Sequence, residues 1–101
     1  MKSILLVCSA GMSTSLLVTK MEKAALEKQL DITILAVAEA EASHHYDQTN
    51  IVLLGPQVRF LKSKIEKQLA GKNIPVQVID SIDYGTMNGE AVLTKALQIM
   101  A

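Results

Sequence analysis

A three-layer α/β domain, with helices on both faces of a four-stranded parallel sheet, is the fold this sequence predicts, on three observations. Four short apolar runs recur along its 101 residues: Ile4 to Val7, Ile32 to Val37, Ile51 to Leu54 and Val76 to Ile79. They are rich in Val, Ile and Leu with little polar alternation, as strands covered on both faces should be. Segments with helical spacing separate them, and strand alternating with helix through short links is the pattern of a parallel sheet. The length suits one domain spanning residues 1–101, large enough for a three-layer core and too small for two.

Taken in order, the first run, Ile4 to Val7, leads through small residues into a segment where Leu17, Val18, Met21 and Ala25 share one side of a helix. Lys20, Lys23 and Glu27 lie opposite, and Lys28 interrupts the pattern with a stem long enough to snorkel. After the second run, Glu39 to Asn50 offers little apolar surface, so a short helix or an irregular crossover is expected there. After the third, Val58, Leu61, Ile65 and Leu69 recur at spacings of three and four, and Gly71 and Pro75 punctuate the stop. A turn with Gly85, Asn88 and Gly89 follows the fourth run and opens a last helix, with Val92, Leu93, Ala96, Leu97, Ile99 and Met100 as its buried stripe. Right-handed crossovers leave few topologies. The flavodoxin-like order 2-1-3-4 makes the first strand central and puts the ligand crevice at the carboxyl ends of the first and third.

Ten basic and ten acidic residues cancel, half the chain is apolar, and there are three aromatic residues, Tyr46, Phe60 and Tyr84. That balance argues against a nucleic-acid partner. No stretch approaches the roughly 20 apolar residues of a membrane span, and the apolar core after Met1-Lys2-Ser3 is shorter than the ~7 residues of a signal sequence. A cytoplasmic location is therefore expected. The single cysteine excludes an intrachain disulfide, and the residues suggest neither a metal site nor a cofactor.

That cysteine, Cys8, stands where strand becomes helix. A lone cysteine is ordinarily an inert core residue, but the surroundings here reverse the expectation. Ser9, Ala10, Gly11, Ser13, Thr14 and Ser15 are small or hydroxylic, so their N–H groups can converge on an anion without obstruction, and Gly11 tolerates the positive φ such a nest needs. Met12 is the exception and is expected to point outward or toward a partner. The helix start adds partial positive charge, which favours a thiolate and a phosphoryl group alike. Ser13, Thr14 and Ser15 serve equally well as hydroxyl donors or as helix caps.

The run Cys8-Ser9-Ala10-Gly11-Met12-Ser13-Thr14-Ser15 resembles the phosphocysteine loop of the enzyme IIB components of the lactose/cellobiose family in the bacterial sugar phosphotransferase system. The likeness extends over nearly the whole chain, through Leu54-Gly55-Pro56-Gln57-Val58 and Asp80 to Gly85. It implies a phosphotransferase: Cys8 accepts a phosphoryl group from a phosphohistidine of enzyme IIA. It then passes the group to a β-linked disaccharide of the cellobiose, lactose or chitobiose type, held by the membrane permease, enzyme IIC. The chain would work in the cytoplasm and meet the membrane only transiently. A monomer is expected, because two partners must use one face in turn. Pro56, Gln57 and Tyr84 are the expected partner contacts, although Tyr84 fits a half-buried packing role equally well.

Two rivals share the geometry. Low-molecular-weight tyrosine phosphatases carry a cysteine, five residues and an arginine on a similar strand, phosphate loop and helix; here Thr14 occupies the arginine position, so bidentate clamping of phosphate is lost. A receiver-like binding module would need an aspartate at the end of the third strand, where Leu54-Gly55 stands. His44 and His45 lie in a polar stretch without an i,i+4 partner and are expected to be solvated; Arg59 could approach the crevice from the third loop but is expected to be a solvated or partner-facing charge.

Overall fold

The computed structural model describes residues 2–8 and 12–100, with Met12, Ser13 and Thr14 described as backbone only. Four parallel strands, β1 (Lys2–Cys8), β2 (Ile32–Ala38), β3 (Ile51–Leu54) and β4 (Val76–Val78), pair in the order β2-β1-β3-β4. The predicted topology holds. Ile4 lies opposite Ile34 on one side and Ile51 on the other, and Val7 opposite Val37 and Leu54, so β1 is hydrogen-bonded along both edges.

The lack of alternation in β1 has a direct cause. Successive side chains of a strand point to opposite faces, and both faces are covered. Ile4 and Leu6 join a core with Leu17, Met21, Val92 and Leu93, under α1 (Met12–Glu27) and α5 (Gly89–Met100). Leu5 and Val7 join a second core with Tyr46, Leu61, Ile65 and Leu69. That side is roofed by α2 (Glu39–Ala42), a 3₁₀ segment Ser43–Gln48, a second 3₁₀ segment Pro56–Leu61, and α3 (Lys62–Gln68). The edge strand β2 departs from the expectation: Ile34 is buried under α1, but Thr33 and Leu35 are exposed, because the second layer does not reach over the sheet edge there.

The helices need three corrections. Lys28 lies past the end of α1 and is exposed, in a turn closed by the Leu30 N–H donating to the Ala25 carbonyl at 2.9 Å, with Gln29 at φ 57°. The stretch from Val58 to Leu69 is not one helix. Its first spacing, three from Val58 to Leu61, is the 3₁₀ repeat, and the spacings of four that follow are those of α3, with a kink at Val58 (φ −118°, ψ 23°). All four apolar residues are nonetheless buried. Ile99, expected in the buried stripe of α5, is 40% exposed and borders an open groove between α5 and β4. At its other end α5 sits so close to α1 that a Cβ on Gly89 would lie 2.5 Å from the Lys20 carbonyl carbon and 2.6 Å from the Met21 nitrogen. Within the expected turn, residues Ser81–Gly85 form a short helix, α4.

Candidate functional site

Cys8 is the last residue of the central strand, opposite Ala38 of β2, and α1 begins four residues later. It is 3% exposed, and its sulfur lies 3.8 Å from the Val37 carbonyl oxygen, the distance of a weak S–H···O contact. The predicted loop residues Ser9, Ala10 and Gly11 lie outside the described residues, as do the side chains of Met12, Ser13 and Thr14. Ser15 stands exposed in the first turns of α1, where its carbonyl accepts a 3.2 Å hydrogen bond from the Thr19 hydroxyl. No acidic residue occupies the first turn of α1, so nothing in that turn offsets the positive end of a 16-residue helix dipole.

The end of β3 lies beside Cys8. The Gly55 N–H donates to the Val7 carbonyl at 3.0 Å, which carries the ladder one residue past β3 and stops beside Cys8. A Cβ on Gly55 would meet the Gln57 Oε1 at 2.9 Å and the Tyr84 ring at 3.8 Å. Gln57 and Tyr84, predicted together from separate segments, therefore converge on the residue next to the cysteine strand. Pro56 is half-buried at the start of its 3₁₀ segment. Tyr84 is 8% exposed, packed in the core shared with α1 and α5, with one ring edge at Gly55.

Three carboxylates at this end of the sheet are already engaged. Lys64 holds Glu39 at 2.7 Å, and Lys95 holds Asp83 at 2.7 Å. Asp80 caps α4, accepting from the N–H groups of Ile82 at 2.8 Å and Asp83 at 3.3 Å. The amide of Asp83 first, then that of Ile82, hold the Asp80 carboxyl below the ordinary carboxylate range. The hydrogen bond to Asp83 holds the Lys95 ammonium above its ordinary value, and Glu39 does the same for Lys64. The charge of all three carboxylates is thus paired with an ammonium or shared with amides.

Sequence reasoning missed α4 and the exposed Ile82 upon it. The signal was present: Asp80 precedes Ser81-Ile82-Asp83 in the position of a helix cap. His44 is exposed and His45 half-buried on the crossover before β3, and Arg59 is exposed on the segment after it. No group of three potential metal ligands occurs among the described residues. A groove of about 320 Å³ lies between β4 and α5, lined in part by Gln77, Asp80, Val92, Lys95 and Ile99. Cys8 is not among its walls.

Residues 3–95 match the model of a family described as the lactose/cellobiose-specific IIB subunit of the phosphotransferase system. The chain is 45% identical over 100 residues to an oligo-β-mannoside-specific EIIB component of Bacillus subtilis, covering 99% of this chain and 97% of that one. It is 43% identical to a galactose-specific EIIB component of Lactococcus lactis subsp. cremoris, covering 98% and 96%. A solution structure of a cellobiose-specific phosphotransferase IIB component from Borrelia burgdorferi superposes with a TM-score of 0.81 at 49% identity, covering 98% of this chain and 91% of that one.

Proposed function

We propose that this chain, which belongs to the lactose/cellobiose-specific IIB family of the sugar phosphotransferase system, carries its phosphoryl group on Cys8. It is a phosphotransferase and one step in a relay to sugar; the phosphatase alternative is not favoured. The observation that carries the assignment to Cys8 is its position: last residue of the central strand, four residues before the start of a 16-residue helix with no acid in its first turn.

In the first half-reaction the Cys8 thiolate attacks phosphorus in line, the S–P bond forms and the N–P bond to the enzyme IIA histidine breaks, leaving the electron pair on the ring nitrogen. In the second, a sugar hydroxyl presented by enzyme IIC attacks phosphorus and gives its proton to water, while the S–P bond breaks and returns the electron pair to sulfur as the thiolate. Charge on the phosphoryl oxygens spreads in both transition states, so N–H donors and a helix start are the groups the reaction needs. The loop from Ser9 to Ser15 is the proposed cradle, and Pro56, Gln57 and Tyr84 border the face that the partners cover. Because Cys8 is 3% exposed, the donor histidine must reach in to within about 3–3.5 Å of sulfur.

The chain acts as one domain, as a monomer on the cytoplasmic face, visited in turn by enzyme IIA and enzyme IIC. No helix among the described residues is long and apolar enough to cross a membrane. The sugar is a glycoside of the β-linked class, and its choice lies with the permease: relatives named for mannosides, galactose and cellobiose are 43–49% identical to this chain. The test is intact-mass analysis after incubation with phosphorylated enzyme IIA. One added phosphoryl group is expected on the wild type and none on Cys8→Ser. Labelling that persists in Cys8→Ser, or maps to His44 or His45, overturns the assignment.

A further inference from the structure

We infer that Lys95 is a positioning residue for phosphoryl transfer, holding α4 so that Tyr84 stays against Gly55 and Ile82 stays exposed on the rim where a partner lands. The inference rests on the reading of Cys8 as the carrier. A helix of five residues cannot hold its own place, since helices shorter than ~12–15 residues are marginal alone. Tyr84 anchors its inner side in the core shared with α1 and α5, and a tie on the other side has to come from outside the helix. Asp80 ties the first turn of α4 to the end of β4, but Asp80 belongs to the same loop and cannot fix the helix against the body of the fold.

Lys95 can. It sits on α5, which packs on α1 and the sheet, and its ammonium reaches Asp83 at 2.7 Å. The Asp83 side chain is 15% exposed and that of Lys95 56%, so the contact is sheltered on the carboxylate side and open to solvent on the ammonium side. Asp83 also accepts the Asn88 N–H at its carbonyl, at 2.9 Å, which binds the far side of α4 to the start of α5. The consequence runs in two directions from one clip. Inward, the next residue, Tyr84, puts its ring edge beside Gly55, whose N–H holds the Val7 carbonyl next to Cys8. Outward, the preceding residue, Ile82, stands 74% exposed at the end of the sheet that bears Cys8. Releasing Asp83 lets α4 shift, and both residues shift with it. The sulfur itself rides on β1, bonded on both edges, and does not depend on the clip.

The separation predicts a KM effect without a kcat effect. Phosphoryl uptake is measured by rapid quench on the full chain across a range of phosphorylated enzyme IIA of the lactose/cellobiose family. Lys95→Ala is expected to raise KM for that donor about tenfold and to leave kcat within about twofold, because docking geometry is lost and the nucleophile is not. Lys95→Arg is expected to recover the wild-type KM, since a guanidinium reaches the same carboxylate. Assays run well below the thermal midpoint of each variant. A wild-type KM in Lys95→Ala with only the midpoint lowered overturns the inference, and so does an equal KM rise in Lys95→Arg. If Lys95→Ala does not fold, Asp83→Asn carries the test with the same two outcomes. Cys8→Ser in the same assay separates the two readings: label surviving there defeats Cys8 as carrier, whatever Lys95 does.

Discussion

The two layers that cover the sheet bury equally apolar strand faces by different means. On one face α1 and α5, of 16 and 12 residues, lie close enough that no side chain fits at Gly89. On the other, α2, α3 and two 3₁₀ segments, none longer than seven residues, share the work among themselves. Long helices in backbone contact form a stiff wall that cannot close around a void. Short segments joined by bends can each move a little. The first layer should therefore transmit a packing defect, and the second should absorb it.

The largest expected effect tests this directly. Leu93 in α5 and Ile65 in α3 are both fully buried and lose comparable volume on truncation. Leu93→Ala should destabilise by about 4 kcal/mol and Ile65→Ala by about 2 kcal/mol, near the two ends of the usual range, because residual cavity volume sets the spread. Equal losses in chemical denaturation would erase the distinction between the layers. Gly89→Ala probes the same wall by overfilling it. The added methyl meets backbone atoms of Lys20 and Met21, which cannot rotate away, so a cost of about 3 kcal/mol is expected. A neutral Gly89→Ala would mean that α5 slides freely on α1.

Smaller effects sharpen the picture of the segmented layer. The Tyr46 hydroxyl donates to Gln68 Oε1 at 3.0 Å, tying the crossover to the end of α3. Tyr46→Phe should cost about 1 kcal/mol. Burial, and then the Glu39 carboxylate, push the Tyr46 phenol above its ordinary value. The unfolded chain therefore loses this proton first, and stability should fall as pH rises above about 10, with a shallower fall in Tyr46→Phe. The smallest effect lies at the site end. The carboxyl of Asp80 is held low in the folded chain, so below about pH 4 the unfolded state takes up the proton first and stability drops as pH falls. Asp80→Asn keeps an acceptor for the amides of α4 and should flatten that acid limb. An unchanged limb in thermal melts between pH 5 and pH 2 would count against the cap.

The legibility of the fold follows the same division. All four strands, their order and the long helices could be read from the chain, because each apolar run serves one regular element and its period survives intact. In the segmented layer the pattern of burial was legible and the conformation was not: Val58, Leu61, Ile65 and Leu69 are all buried, yet a spacing of three beside spacings of four reads as one helix until the kink is seen. At the site, Cys8 was marked by the small residues after it, and Gln57 and Tyr84 converge on Gly55 as neighbours of that strand. Ile82 and Lys95 were not legible. Their importance comes from where α4 lies, which depends on tertiary contacts that no local period records.

The central place of β1 also orders events on the ribosome. Of the four strands, the one that ends in Cys8 is made before the other three, yet its two partners span residues 32–38 and 51–54. Until residue 54 has emerged, the earliest strand has at most one bonded edge. Until α5 follows, the face of Ile4 and Leu6 lacks half its cover. Pairings of that sequence separation are slow to find. A nascent chain therefore exposes Cys8 together with the apolar strand that it ends, and the face of Ile4 and Leu6 is fully covered only when α5 docks.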